Sequence, residues 1–171
     1  MTKGISQAIL ISKSLFWIIV LPGTVTVYLP HLIATRWSPT AFPGWGNWQL
    51  FALIPIGIGA AVLLHCIWGF AAVGRGTLSP VDPPKKLVVK GLYRYVRNPM
   101  YVGVVTILLG ETLLFQSLAL LEYALVAFVA FNLFVILYEE PTLRDQFGES
   151  YEHYCRRVGR WLPGKRYSEG G

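Results

Sequence analysis

Two adjacent carboxylates, Glu139 and Glu140, stand where a long apolar run of this chain ends. Arg144, Arg156, Arg157 and Arg160 follow them, an earlier basic segment carries Arg94 and Arg97, and Tyr93, Tyr95, Tyr101, Tyr151 and Tyr154 are interleaved. Mixed charge of this kind suits a zwitterionic ligand: carboxylates receive an ammonium or sulfonium, guanidinium groups receive a carboxylate, and aromatic faces receive a cation or an adenine. At about 4 Å and an effective dielectric near 20, one such ion pair is worth roughly 4 kcal/mol before desolvation is subtracted. Headgroup-facing charges and a belt of interfacial tyrosines explain the same residues, and composition alone favours that plainer account.

The elements that must position these groups are set by an unusually apolar chain. Its 171 residues are 54% hydrophobic and 14% charged, with a mean hydropathy of +0.49. One domain, 1–171, with room for several membrane spans but not for spans plus a separate soluble domain, follows from that size. The formal charge of +6 raises nucleic acid as a partner. However, the basic residues lie beside long apolar runs, so lipid headgroups and orientation signals account for them and nucleic-acid binding is not expected. Cys66 and Cys155 have neither metal-ligand nor disulfide-framework spacing and are expected to be free thiols on a reducing side, with no metal.

Four apolar runs punctuate the sequence. Ile5 to Ile33 reads as a span kinked at Pro22-Gly23, with Lys13 near its entry; it is too long for a signal-peptide core. The text RWSPTAFPGWGNW after it reads as an interfacial loop with tryptophan anchors. Leu50 to Val73 is a second span, with Gly57, Gly59, Ala60 and Ala61 offering a small-residue face for close packing. His65 near its end is read as packing or hydrogen-bonded structure ahead of function.

Met100 to Phe115 and Leu118 to Tyr138 are separated only by Gln116-Ser117, which predicts a tight helical hairpin. Glu111 and Glu122 on that hairpin are expected to face the bundle interior, protonated or paired, because a central carboxylate costs about 2.5–3.5 kcal/mol on insertion scales. After Tyr138, residues Leu143, Phe147, Tyr151, Tyr154 and Val158 mark one face of an amphipathic helix over Glu139 to Arg160.

Alternate crossing by the four runs, with the chain divided into two N-terminal spans (1–73), a loop (74–98), the hairpin (99–138) and a tail (139–171), assigns the basic residues to sides. Of 15 Lys and Arg residues only Arg36 then falls opposite the others. That asymmetry places both termini, the loop and the tail in the cytoplasm. The expected fold is an all-α, multi-pass integral membrane protein of about four transmembrane helices, in which the loop and the amphipathic C-terminal helix close a pocket against the hairpin.

Spacing goes beyond composition. The stretch GLYRYVRNPMYVG, Gly91 to Gly103, resembles the G-[LVI]-Y-x-x-[FV]-R-[HN]-P-x-Y-x-G motif of the integral-membrane methyltransferases typified by isoprenylcysteine carboxyl methyltransferase and, more distantly, phospholipid N-methyltransferases. The tail EEPTLRDQFGESYEHYCRRVGRWLP resembles their E-E-x-x-L-x-x-x-F-G-x-x-Y-x-x-Y-x-x-x-V-x-R-[WF]-x-P pattern. Together the matches cover Thr77 to Pro163, about the C-terminal half, in the correct order and separation.

The resemblance implies an S-adenosyl-L-methionine-dependent methyltransferase whose cofactor lies between the loop and the tail. It carries cofactor contacts onto the strip Lys85, Lys86, Leu87 and Val88, onto Tyr93 and Arg97, onto Asn98, Pro99, Met100 and Tyr101, and onto Glu139, with Tyr151 and Arg160 from the tail. Asn98 stands where the prenylcysteine enzymes commonly have histidine, and it cannot titrate near neutrality. Val135 stands where they place a substrate-contacting arginine. A carboxylate acceptor needs no general base, whereas an amine does, and Glu140 or Glu111 is then the candidate.

The acceptor implied is lipophilic or amphiphilic, most simply a prenylated carboxylate with a phospholipid amine as the alternative, meeting a monomeric enzyme within the bilayer. Membrane sterol reductases share features of this C-terminal region and bind NADPH, so hydride transfer is a competing class, and a non-catalytic scaffold is a third.

Overall fold

A computed structural model describes residues 20–37, 46–73 and 89–167. The loop strip Lys85 to Val88, Lys13 and most of the tryptophan-rich connection lie outside the described residues. Those described are helical apart from short connections, and their one β-type contact is an isolated parallel bridge between Val96 and Gly159.

The first described helix runs through Pro22 and Gly23 without a break; Gly23 has helical angles, φ −63° and ψ −39°. The irregularity comes after it, as a π-turn over Thr24–Tyr28 that leads into α1, Leu29–Trp37. Its cause is local. The Leu29 amide bonds Thr24 O, one residue further back than in an α-helix, and the next residue, Pro30, has no amide to give to Val25 O. That orphaned carbonyl accepts instead from the Tyr123 hydroxyl at 3.0 Å, which ties this helix to the hairpin.

A 3₁₀ turn over Asn47–Ala52 precedes α2, Leu53–Val73. Among the described residues, α2 packs most extensively against α3, Pro99–Phe115. A Cβ on Gly59 would lie 2.6 Å from Gly103 O, and one on Gly103 would lie 3.0 Å from Gly59 O, so only glycine lets these backbones meet. The expected small-residue face is narrower than its sequence suggests, because Gly57 has nothing within 4 Å among the described residues.

At the end of α3, Gln116 adopts a left-handed conformation with φ 50°, and Ser117 Oγ accepts from the Leu120 amide to start α4, Leu118–Phe134. Leu63, Val104, Ile107, Leu108, Ala124 and Ala127 form the core where α2, α3 and α4 meet. Glu122 is exposed near the turn rather than facing the interior.

Hydrophobicity stops at Tyr138, but the helix does not. A π-turn over Val135–Glu139 carries α4 directly into α5, Glu140–Phe147, and the continuous helix Leu118–Phe147 is 30 residues long. At about 1.5 Å per residue that is roughly 45 Å, more than a hydrocarbon core of ~30 Å requires, so its polar end projects beyond one.

Gln49–Gly69 and Leu118–Phe147 are the two described helices long and apolar enough to cross a membrane. Most of each faces outward, with 22% of its apolar window buried in the fold. Large side chains such as Ile58, Leu64, Trp68, Leu125 and Val126 are exposed along them, as suits a lipid-facing surface and not the core of a water-soluble protein.

The single amphipathic helix expected over Glu139 to Arg160 is instead two. Gly148, at φ 51° and ψ −128°, ends α5 and begins α6, Glu149–Arg157. The apolar residues still meet, because the bend folds α6 back: Tyr151, Tyr154 and Val158 are buried with Val89, and Leu143 and Phe147 pack against them.

Candidate functional site

The site is built where the start of α3 meets the end of the long helix. Gly91 opens it with φ +56°, and a Cβ there would come within 2.8 Å of His65 Nε2 on α2. A 3₁₀ turn over Gly91–Arg94 follows, and Pro99 then begins α3 at a position where its missing amide costs nothing.

The tail lies along this segment by backbone pairing. The Arg97 amide donates to Gly159 O at 2.9 Å, the Gly164 amide to Tyr95 O at 2.9 Å, and the Tyr167 amide to Arg94 O at 2.9 Å. The Asn98 side chain does not cap α3; its Nδ2 donates to Arg160 O at 3.3 Å. The Tyr154 hydroxyl donates to Tyr93 O at 2.6 Å. Burial pushes the Tyr93 phenol well above its ordinary range and raises Tyr154 too, so both remain protonated donors.

Glu140 is the electrostatic centre of that junction. Arg160 meets it bidentately, Nε to Oε1 at 2.7 Å and Nη2 to Oε2 at 2.9 Å. Arg97 Nη1 approaches Oε1 at 3.1 Å and Arg144 Nη2 approaches Oε2 at 4.0 Å. The carboxylate side chain is 5% exposed, so α3, α5 and the tail are joined by a buried, multiply paired charge. Arg97 Nη1 also lies 2.8 Å from Cys155 Sγ.

Glu139, one residue earlier, has a different environment. Its hydrogen bond among the described residues is a long one, 3.4 Å, received from the Tyr101 hydroxyl, and no guanidinium pairs with it. The Tyr101 ring stacks on Phe131 at 4.8 Å and meets Trp161 edge-on at 6.4 Å. Trp161 in turn packs on Phe128 at 5.3 Å and donates from Nε1 to Asn132 Oδ1 at 3.0 Å. A half-buried carboxylate beside the Tyr101 ring, with no cation paired to it among the described residues, is suited to a ligand's positive charge.

Among the residues singled out from sequence, Tyr93, Arg97, Asn98, Pro99, Met100, Tyr101, Glu139, Glu140, Tyr151 and Arg160 all lie at or beside this junction. Within that group Met100 packs toward the central core, and Tyr151 belongs to the buried cluster behind the tail. Glu111 is not brought there: ten residues along α3 from Tyr101, it stands about 15 Å away along the axis. Its Oε2 is buried without a hydrogen-bond partner among the described residues.

Sequence reasoning gave Trp161, Asn132 and Cys155 no role at this site. Asn132, a lone amide in an apolar helix, was the available signal for the first two.

The class so defined is an all-helical protein with membrane-length helices, whose polar tail is clamped to the mouth of a helical hairpin. Residues 48–150 match the sequence model of the phospholipid methyltransferase family, and the chain belongs to that family. It is 37% identical over 79 residues to a probable protein-S-isoprenylcysteine O-methyltransferase of Oryza sativa subsp. indica, covering 46% of this chain and 41% of the relative. It is 38% identical over 78 residues to the protein-S-isoprenylcysteine O-methyltransferase of Schizosaccharomyces pombe, covering 45% and 33%. A phosphatidylethanolamine N-methyltransferase of Paracoccidioides lutzii aligns at 27% identity over 151 residues, covering 82% of this chain and 15% of the relative. The chain thus spans about two fifths or less of the length of these curated relatives.

Proposed function

We propose that this protein transfers a methyl group from S-adenosyl-L-methionine to a lipophilic or amphiphilic acceptor, at the cytoplasmic face of a membrane it crosses four times. The observation that carries this reading is the contrast between adjacent carboxylates at the hairpin mouth: Glu140 is saturated by arginines, while Glu139, among the described residues, is paired only with the Tyr101 hydroxyl. A carboxylate in that state, walled by Tyr101, fits the ammonium or sulfonium of the donor, which supplies the methyl group when bound. Family membership and the names of the relatives support methyl transfer as the chemistry.

In this reading the chain's own residues do three things. Glu139 and Tyr101 orient the cationic end of the donor, and Tyr93, with the strip Lys85 to Val88, borders its remainder. Arg97, Glu140 and Arg160 fix the tail over the mouth, so Glu140 serves as a brace; a carboxylate held by arginines is a poor proton acceptor. Phe128, Phe131 and Trp161 keep the mouth dry, and most of the rate then comes from holding donor and acceptor in line at about 3–3.5 Å. No general base is needed for a carboxylate acceptor of the isoprenylcysteine type. Glu111, about 15 Å along α3 from Tyr101, takes no part in the step.

The test is a thermal melt of the detergent-solubilised chain with S-adenosylmethionine, S-adenosylhomocysteine and NADPH, since a ligand that binds only the native state raises stability. Both adenosyl ligands should raise the melting temperature; a rise with NADPH alone would overturn the assignment. Incubating host membranes with radiolabelled donor and then treating with base identifies the acceptor: volatile methanol marks an ester, and retained label marks nitrogen.

A further inference from the structure

Near its end the tail makes a turn over residues 161–166, Trp-Leu-Pro-Gly-Lys-Arg, and only Trp161 of these has a task at the mouth. Trp161 also fixes the depth of the turn. Its indole bonds Asn132 and packs on Phe128, six and ten residues before the apolar run of the long helix ends at Tyr138, so the ring stands about 9–15 Å along the axis inside that end. Between that level and Tyr138 the long helix remains apolar and exposed at Leu133, Phe134 and Leu137. Leu162 therefore follows Trp161 at the height of a lipid-facing surface, and it is itself 78% exposed.

The turn is firmly held. The Gly164 amide donates to Tyr95 O and the Tyr167 amide to Arg94 O, each at 2.9 Å, and a Cβ on Gly164 would come within 2.7 Å of Arg157 O. Just past the apolar tip, Lys165 and Arg166 are exposed and make no ion pair among the described residues. No acidic residue lies between positions 158 and 167 to compete for them. An apolar tip with two free cations beside it matches an interfacial anchor, in which the leucine enters the acyl boundary and long basic side chains reach back to the headgroups.

We propose that residues 161–166 are a lipid-contact surface, with Leu162 in the acyl boundary and Lys165 and Arg166 on the phosphates of anionic lipid in the same leaflet. Charge selects the lipid: a zwitterionic headgroup sets an ammonium beside each phosphate, whereas an anionic one leaves the phosphate to the protein's cations. The same segment delivers Arg160 and Trp161 to the mouth, so a negatively charged leaflet tightens the tail over it. The proposal rests on the membrane placement given above and not on the identity of the donor.

Hydrogen exchange in lipid nanodiscs reads that attachment, because the Gly164 and Tyr167 amides are protected while the tail lies against residues 94–97. In the full-length chain, replacing half of the phosphatidylcholine with phosphatidylglycerol should slow exchange at these amides by about tenfold or more, and high salt should erase the slowing. The double variant Lys165→Gln/Arg166→Gln should exchange like the wild type in pure phosphatidylcholine and show no response to phosphatidylglycerol. Leu162→Ser should exchange faster in both lipids.

A wild-type tail that exchanges alike in both lipids overturns the proposal. Equal slowing in the double variant does so too, since it assigns the lipid response to basic residues elsewhere, and a Leu162→Ser variant indistinguishable from the wild type overturns the seating of the tip. A chain that does not stay with the nanodiscs removes the membrane placement itself.

Discussion

The two sides of the hairpin mouth hold neighbouring carboxylates in opposite states. On one side Glu140 is buried among Arg97, Arg144 and Arg160, all within 4.0 Å. On the other, Glu139 receives one long hydrogen bond among the described residues, from Tyr101, whose ring packs on Phe131 and Trp161. Successive helix positions point about 100° apart, so one sequence pair serves two compartments. The π-turn over Val135–Glu139 sets the phase at which they diverge, because one residue more per turn rotates everything after it. Binding chemistry and tail fixation are thereby kept apart at adjacent residues.

Exchanging the two roles gives the largest effect. Glu140→Ala takes the counter-ion from Arg97, 13% exposed at its side chain, and from Arg160, 32% exposed; because solvent reaches Arg160, the loss falls at or below the lower end of the about 3–5 kcal/mol for breaking a buried pair from one side. The melting temperature should fall sharply and the tail should become protease-sensitive; a variant that melts like the wild type would show that the arginines find water and that the clamp is cosmetic. Glu139→Gln should do the reverse. Stability should change by less than about 1 kcal/mol, while donor affinity falls by about a hundredfold, or ~2.7 kcal/mol. Calorimetry showing unchanged affinity would remove Glu139 from the donor site. Arg160→Lys tests geometry at constant charge: the bidentate fork is lost, and a cost of about 1–2 kcal/mol is expected by chemical denaturation.

How far this contrast could be read in advance depended on the range of the forces behind each part. The Gln116-Ser117 turn was legible because two polar residues between apolar runs have one economical solution. The junction of Arg97 to Tyr101 with Glu139, Glu140 and Arg160 was legible only through motif spacing, since the pairing joins residues about forty to sixty positions apart.

Other features left no local mark. The π-turn at Thr24–Tyr28 depends on Pro30 withholding an amide and Tyr123 replacing it from α4. The break at Gly148 was hidden because Leu143, Phe147, Tyr151, Tyr154 and Val158 keep helical spacing across it; folding back satisfies the same apolar pattern as continuing straight, and glycine's left-handed angles permit the fold.

The smallest effect bears on what holds the aromatic side. Trp161 reaches that side from the tail, so besides the backbone pairing along residues 94–97 the tail is held by side chains of different physical character: charge at Glu140 and a neutral hydrogen bond, Trp161 Nε1 to Asn132 Oδ1 at 3.0 Å. Trp161→Phe keeps most of the ring contact with Phe128 and Tyr101 but strands the Asn132 amide oxygen in an apolar helix, so a loss of about 1–2 kcal/mol is expected. Asn132→Leu strands the indole N–H at similar cost. The double variant strands neither, and it should recover about 0.5–1.5 kcal/mol relative to the sum of the single changes. Strict additivity would mean that the Trp161–Asn132 hydrogen bond does not fasten the tail and that Trp161 merely rests on the hairpin. Coupling would mean that the dry side of the mouth has its own fastening, one that survives the salt concentrations that weaken the more exposed Arg144 contact, 49% exposed at its side chain.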